Sequence, residues 1–520
     1  MAWTLPHRWH AFPPRSYGRV AAWRALLSRA LGPVGLAVLG LVVFAPGMTH
    51  EFTNWDDWKY IVENPIVRSP SLGGVLEAFT SFHFYNYNPL HLVSYMIDAQ
   101  VWGLWSGGFF LTNLLLHVGT AMVFHELALR CLGSRGAAFT VAALFLVHPT
   151  RVESVAWLSE RKDVLAGFFA ACALLTQWRR WEAGVVGTRS ASGFSPAALA
   201  FCGLALLSKS QLVGLPLVLL AMSRVQRVPL RAAAVVLLPH AALSAVFSVV
   251  TLCAHQGDAS GGVQFPESLL VPLAALPRYA ILLFAPFAQS PYHDMPLSSF
   301  TAMPWVLAGA GMVLGLGFLA AASFRRRGLW LLGVVSFVAF LLPVLGFVRI
   351  QVLFAERYLY LALVGPALAA VGTFRDLAGR DSSPRWARCG AVGSAGVWVV
   401  GCAMLSAVYL PVFHDSGSLW SRVLTVYPRS SIAHSNLAHH LRAQGRLAEA
   451  ASHYDADLVE KPCYEESYLG RASIYEAQGQ YATAEDLYRH VLSRRPDSVA
   501  AKRDYEDFLR RQRARESATK

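Results

Sequence analysis

The stretch "NWDDWKYIVENP" sets two adjacent carboxylates, Asp56 and Asp57, between two indoles, Trp55 and Trp58. A carboxylate held near a hydroxyl can take its proton during attack, and a flat indole can face a sugar ring or anchor at a membrane surface. Further ionisable residues punctuate apolar sequence: Asp98 in "HLVSYMIDAQVWG", His148, Glu153, Glu160, Arg161, Lys162 and Asp163 in "LVHPTRVESVAWLSERKDVLAG", and Lys209 in "LSKSQ". His293 and Asp294 follow in "SPYHDMP", then Glu356 and Arg357 in "FAERYLYL". Charge at membrane depth is costly, so such residues are functional candidates. Cations that grip a departing phosphate beside a carboxylate base are the equipment for sugar transfer from a lipid-linked phosphate.

The surrounding sequence is built for a bilayer. Of 520 residues 55% are hydrophobic and only 15% charged, with mean hydropathy +0.40; soluble domains carry about 25% charged residues. Apolar runs of the roughly 20 residues needed to cross the hydrocarbon are read near 31–48, 108–132, 137–157, 163–180, 194–208, 210–223, 230–254, 303–324, 329–348, 356–376 and 388–413. The segment 268–288, with Pro272, Pro277, Pro286 and Arg278, reads as re-entrant or interfacial. Basic residues flanking spans are retained in the cytoplasm. Arg8, Arg15, Arg19, Arg24 and Arg29, with no acid among them, therefore put the N-terminus inside. "RCLGSRG", "SRVQRVPLR" and "FRRRG" then fall on the same side, and the candidate residues converge on the opposite face. The net charge of +13 is accordingly a topology signal, and no nucleic-acid partner is expected. The arm 1–30 reads as a cytoplasmic extension, too long for a cleaved signal peptide. Seven scattered cysteines imply neither a disulfide framework nor a metal site.

After Phe413 the composition changes. From His414 onward 16 basic and 15 acidic residues nearly balance. A period of 34 residues appears in Pro428, Pro462 and Pro496, in Trp420, Tyr454 and Tyr488, in Gly445 and Gly479, and in Ala450 and Ala484. Glycine in a turn, alanine where helices approach, and a closing proline are the marks of tetratricopeptide repeats. Two full repeats are expected, "HSNLAHHLRAQGRLAEAASHYDADLVEKP" and "ESYLGRASIYEAQGQYATAEDLYRHVLSRRP". A half-repeat precedes them and a closing helix follows. The expected domains are thus 1–30, 31–413 and 414–520, and with eleven spans the repeats lie outside the cytoplasm.

"NWDDWKYIVENPIV", "YNPLHLVSYMIDAQVWGL", "LFLVHPTRVESVAWLSERKDVLAGFF", "SPYHDMP" and "AERYLYL", followed by the repeats, resemble the transmembrane-and-tetratricopeptide-repeat O-mannosyltransferase family. The resemblance implies an all-α fold, a polytopic GT-C-type helical bundle of about 11 spans with a C-terminal helical solenoid. It implies an inverting transfer from a polyprenyl-phosphate sugar to an extracytoplasmic acceptor, protein Ser or Thr in the animal members, and a bacterial inner membrane as the setting. It assigns the catalytic carboxylate to Asp56 or Asp57. Donor or substrate contacts fall on Arg357, Glu356, Lys209, Arg161, His293, Asp294, Glu153, His148, Trp55 and Trp58. Where relatives have "LSKE" this chain has Ser210 after Lys209, so no role for that acid carries over.

Plainer readings exist for each residue. The acidic pair could cap a helix, the indoles could be interfacial anchors, Glu356 and Arg357 a structural ion pair, and His293 a loop residue. A lipid flippase or transporter would also bury charges, but near the midplane and with internal symmetry, which this chain lacks. A tethered repeat scaffold would leave the loop charges unexplained. No cofactor is expected to be required; a divalent metal on Asp56 and Asp57 has only the adjacency of the pair behind it.

Overall fold

In the computed structural model the described residues are 19–185, 193–255, 267–326, 328–347, 352–379, 384–462 and 464–519. Most of the basic arm, residues 186–192 and Cys463 lie outside them. Among the described residues every named element is a helix, with one isolated bridge, between His83 and Asn86. Two compact units emerge. The first holds residues up to His50, Asp57–Gln289 and Pro296–Pro411; the second holds Glu51–Asp56, Ser290–Met295 and Val412–Lys520.

In the first unit, five helices are long and apolar enough to cross a membrane by length and composition: Ala30–Thr49, Ser106–Leu132, Leu230–His255, Met303–Arg326 and Val392–Phe413. Shorter apolar helices at Arg135–Val147, Pro196–Ser208, Ser210–Val225, Ser268–Phe284 and Leu329–Val344 accompany them. The 268–288 segment, read as re-entrant or interfacial, forms a helix through Pro272 and Pro277 to Phe284. Pro277 has no N–H for the carbonyl of Leu273, and Gly309 of the neighbouring helix lies against that carbonyl. A β-carbon at Gly309 would stand 1.8 Å from the Leu273 oxygen, so only glycine allows the approach.

Two expected spans are interrupted instead of continuous. Helix Arg135–Val147 ends before His148, whose backbone is extended (φ −67°, ψ 133°) because Pro149 disfavours the helical region in the residue before it. The chain then runs through short turns, Pro149–Arg151, Val152–Ala156 and Leu158–Glu160, before helix Arg161–Val185 begins. The second interruption replaces the start of the 356–376 span. Ala355 is extended, Glu356–Leu359 forms one tight turn, and the helix starts only at Val364. Lys209 is likewise extended between Pro196–Ser208 and the next helix. Glu153, Glu160, Lys209, Glu356 and Arg357 therefore sit where helices break and backbone groups need side-chain partners.

The second unit contains antiparallel helix pairs. Ser431–Ala443 packs on Leu447–Glu460, and Glu465–Ala477 on Tyr481–Arg494, with Ser416–Val426 before and Val499–Thr519 after. Gly445 and Gly479 turn each pair at φ +76° and +77°, a conformation other residues resist. Ala450, Tyr454, Ala484 and Tyr488 are buried at the helix crossings, which is why they repeat every 34 residues.

Candidate functional site

The interruptions of the first unit bring three carboxylates and three cations into one network. Arg357 pairs through its guanidinium with Glu153, whose other oxygen accepts the Arg357 backbone N–H at 2.8 Å. Glu160 is shared: Lys162 lies 3.0 Å from Oε1, Arg357 Nε 3.4 Å from the same oxygen, and Lys209 3.5 Å from Oε2. Lys209 also reaches Asp163 at 2.5 Å, and Asp163 accepts a second bond from Ser154 at 3.0 Å. Glu153 and Glu356 are fully buried, and Gln289 donates to Glu356 at 3.4 Å. Buried charge is tolerable only when it is paired in this way. Burial alone would raise the Glu160 carboxyl, but Lys162, Lys209 and Arg357 outweigh it and hold it well below its ordinary 4.5.

One side of this network opens. Asp163, Lys209, Gln211, Arg357, Tyr358 and Tyr360 line a small pocket. The guanidinium of Arg357 lies 5.3 Å from the centres of the Trp157 and Tyr358 rings, and Lys209 5.9 Å from the latter. Aromatic faces hold cations without neutralising them, so the rings add no anionic partner to those the carboxylates already supply. Gln211, Tyr358 and Tyr360 had no assigned role in the sequence; the tyrosines of "ERYLYL" flank Arg357 and were the available signal.

Asp57 is 1% exposed and joins the same unit. Its Oδ1 accepts from the Ser159 backbone N–H at 2.8 Å and the Ser159 hydroxyl at 2.5 Å, which fixes the turn carrying Glu160. Trp58, on the following turn Trp58–Val62, is 45% exposed.

Arg161 belongs to a separate, closed cluster. It pairs with Asp98 at 2.5 Å and donates to Asn113 and to the Phe109 carbonyl at 2.7 Å each, with the Tyr95 ring 4.7 Å away. Asp98 takes a further bond from Thr112 at 2.9 Å. Burial pushes the Asp98 carboxyl up despite Arg161 and Thr112. His148 is also committed: Nε2 donates to the Leu283 carbonyl at 3.1 Å, leaving Nδ1 to accept near Thr150. Arg151, unremarked in the sequence, is fully buried and donates twice to the Leu359 carbonyl at 3.0 Å, tying the two interruptions together.

The remaining sequence candidates fall in the second unit. Asn54 donates to the Asn436 carbonyl at 2.8 Å and accepts from the Trp420 indole at 2.7 Å. Trp55 packs against Trp420, 5.3 Å between ring centres, and against Tyr292 at 6.1 Å. His293 Nδ1 lies 2.9 Å from the Tyr427 hydroxyl, and Ser430 donates to Asp294 at 2.7 Å. Segments 51–56 and 290–295 are thereby clasped by the half-repeat and the first helix of the repeat that follows. Asp56 is half-buried at the end of the first of them. Among the described residues no group of three or more His, Cys, Asp and Glu is placed to hold a metal ion.

Comparison with known proteins places these observations. The tetratricopeptide-repeat family matches residues 433–462 and 469–500. Human protein O-mannosyl-transferase TMTC1 is 30% identical over 181 residues, covering 32% of this chain and 20% of that protein. The Caenorhabditis elegans protein O-mannosyl-transferase F38B6.6 is 25% identical over 180 residues, covering 32% and 25%. Mouse TMTC2, also a protein O-mannosyl-transferase, is 27% identical over 148 residues, covering 27% and 18%. The chain thus spans a quarter or less of the length of these curated relatives. The crystal structure of ArnT from Cupriavidus metallidurans bound to undecaprenyl phosphate aligns with a TM-score of 0.39 at 17% identity, over 89% of this chain and 81% of that one. Over about a third of its length this all-helical chain resembles the protein O-mannosyl-transferases, and it ends in tetratricopeptide repeats.

Proposed function

We propose that the chain is a GT-C-type membrane glycosyltransferase that moves a sugar from a polyprenyl phosphate to an acceptor hydroxyl outside the cytoplasm. The observation that carries this reading is the pocket where Lys209 and Arg357, each braced by buried carboxylates, face the same space. The relatives' names supply mannose as the sugar and protein as the acceptor. Arg357 and Lys209 would hold the donor phosphate, the guanidinium offering a fixed fork and the ammonium a point charge. Carboxylates Glu153, Glu160 and Asp163 keep both side chains extended toward it.

In the reaction the acceptor oxygen attacks the anomeric carbon while the bond from that carbon to the phosphate oxygen breaks. Polyprenyl phosphate leaves with the electron pair, and the two cations stabilise its growing charge. The hydroxyl proton passes to a carboxylate of the pair Asp56 and Asp57, giving inversion in one displacement. Oδ1 of Asp57 already accepts two bonds from Ser159. In this reading the N-terminus is cytoplasmic, and the acceptor is presented by the repeats.

Purified protein in vesicles, given radiolabelled polyprenyl-phosphate sugars and a Ser/Thr peptide, should label the peptide. Movement of labelled lipid between leaflets without peptide labelling would replace this reading with a flippase, and neither event would leave a scaffold. Asp56→Asn or Asp57→Asn should abolish transfer while donor binding persists, because general-base help is worth roughly a hundred- to ten-thousand-fold in rate. Transfer at the parent rate by both single variants and the double variant removes the pair from the chemistry.

A further inference from the structure

Segment Glu51–Asp56 of the second unit lies between the turns Ala45–Thr49 and Trp58–Val62 and has no helix of its own. Irregular backbone of this kind is mobile unless other parts of the chain take its polar groups. Here the partners come from 362 to 382 residues away, and Asn54 makes three of the bonds. Its backbone N–H donates to the Ser416 hydroxyl at 2.8 Å. Its side chain adds the bonds to the Asn436 carbonyl and the Trp420 indole. Upstream, the Glu51 N–H donates to the His414 carbonyl at 2.7 Å. Downstream, Trp55 is wedged between Trp420 and Tyr292.

The anchor needs the chemistry of asparagine. Its carbonyl accepts from an indole that can only donate, and its amide donates to a carbonyl that can only accept. Aspartate in its place would keep the first bond and lose the second; leucine, of similar volume, would lose both. Trp420 is fully buried, so leaving its N–H unpaired is costly. Two residues beyond this anchor stands Asp56, the half-buried carboxylate that closes the segment.

We propose that Asn54 is the positioning residue for Asp56: by fastening its segment to the repeats it fixes where that carboxylate stands. The repeats then hold one member of the acidic pair as well as presenting the acceptor. The proposal rests on the reading that the pair Asp56 and Asp57 takes the acceptor's proton. Asn54 acts through Asp56 and touches no substrate. Displacing a reacting group by about 1 Å can cost about a hundred-fold in rate, so a loosened anchor should be visible in turnover.

The test compares the full chain with Asn54→Leu and Asn54→Asp in vesicles, by two readouts. Amide hydrogen exchange across Glu51–Asp56 should rise about ten-fold or more in Asn54→Leu and less in Asn54→Asp. Helices Ser416–Val426 and Ser431–Ala443 should exchange as in the parent. Unchanged exchange of the segment in both variants, or equal loosening of those helices, overturns the proposal. In the transfer assay Asn54→Leu should lower kcat by about ten- to a hundred-fold with donor KM unchanged, and Asn54→Asp should recover part of the loss. Short and long peptide acceptors should lose the same factor. A loss confined to the long one would make Asn54 part of acceptor capture and refute the positioning role. Parent-level kcat in a variant whose segment has loosened removes Asn54 from the reaction and leaves the transferase reading intact. A parent that labels neither peptide overturns the transferase reading itself, and the positioning role with it.

Discussion

Glu160 provides the sharpest test of the charged pocket, because it is the carboxylate shared by Lys162, Arg357 and Lys209. Its carboxyl is held below the ordinary range, so at neutral pH it carries a full negative charge. Among the carboxylates of the network, burial pushes Asp163 up to about 6 despite Lys209, so Glu160 is the one whose negative charge the cations hold most firmly. Glu160→Gln keeps the shape and leaves the pocket one unit more positive. A bound phosphate about 6 Å away would feel that change as about 3 kcal/mol at an effective dielectric of about 20, which is roughly a hundred-fold tighter binding. Lys209→Gln removes a positive charge and should weaken binding by a similar factor. Both substitutions disturb buried pairs, and removing one partner of such a pair costs about 3–5 kcal/mol at most, so thermal unfolding is followed alongside. The assay is equilibrium binding of a short-chain polyprenyl phosphate to purified protein in detergent at pH 7. Opposite shifts in two variants that still unfold cooperatively are expected. Unchanged affinity in both, or shifts of the same sign, would refute a phosphate site at this pocket.

Four further outcomes follow from the same geometry. Arg161→Leu should lower stability by about 3–5 kcal/mol by stranding buried Asp98, and the protein that remains should show an unchanged donor KM, checked by kinetics on the folded fraction. Trp420→Ala, losing a fully buried ring and its bond to Asn54, should cost about 3–5 kcal/mol, read by denaturant unfolding. Acid should destabilise the parent as pH falls below 4.5, where the unfolded Glu160 begins to take up protons, with the loss continuing through its lower folded value; Glu160→Gln should show a shallower acid limb. A reporter active only in the cytoplasm, fused after Lys520, should be silent, and a bright signal would reverse the proposed orientation.

Some of this protein is determined by sequence because the determinants are local or periodic. A helix must hide about 20 residues of backbone from lipid by itself, so Met303–Arg326 and Leu230–His255 read directly from apolar runs. The 34-residue period of Gly445, Ala450 and Tyr454 reads as directly, because every repeat solves the same packing problem. The helix interruptions were less visible. The 137–157 run is apolar enough to look continuous, yet Pro149 ends its helix at Val147, and the turns that follow position Glu153 and Glu160.

Only tertiary structure decided which charges meet. Arg161 and Lys162 are neighbours in sequence, but successive residues on a helix point about 100° apart. Arg161 closes on Asp98 while Lys162 faces Glu160. Asp56 and Asp57 likewise part company, one ending a segment clasped by the repeats and the other bonded to Ser159. Glu153 and Arg357 are 204 residues apart and carry no sign of each other in the sequence. Their pairing follows from two interrupted helices that bring the Arg357 backbone N–H and guanidinium against the Glu153 carboxylate.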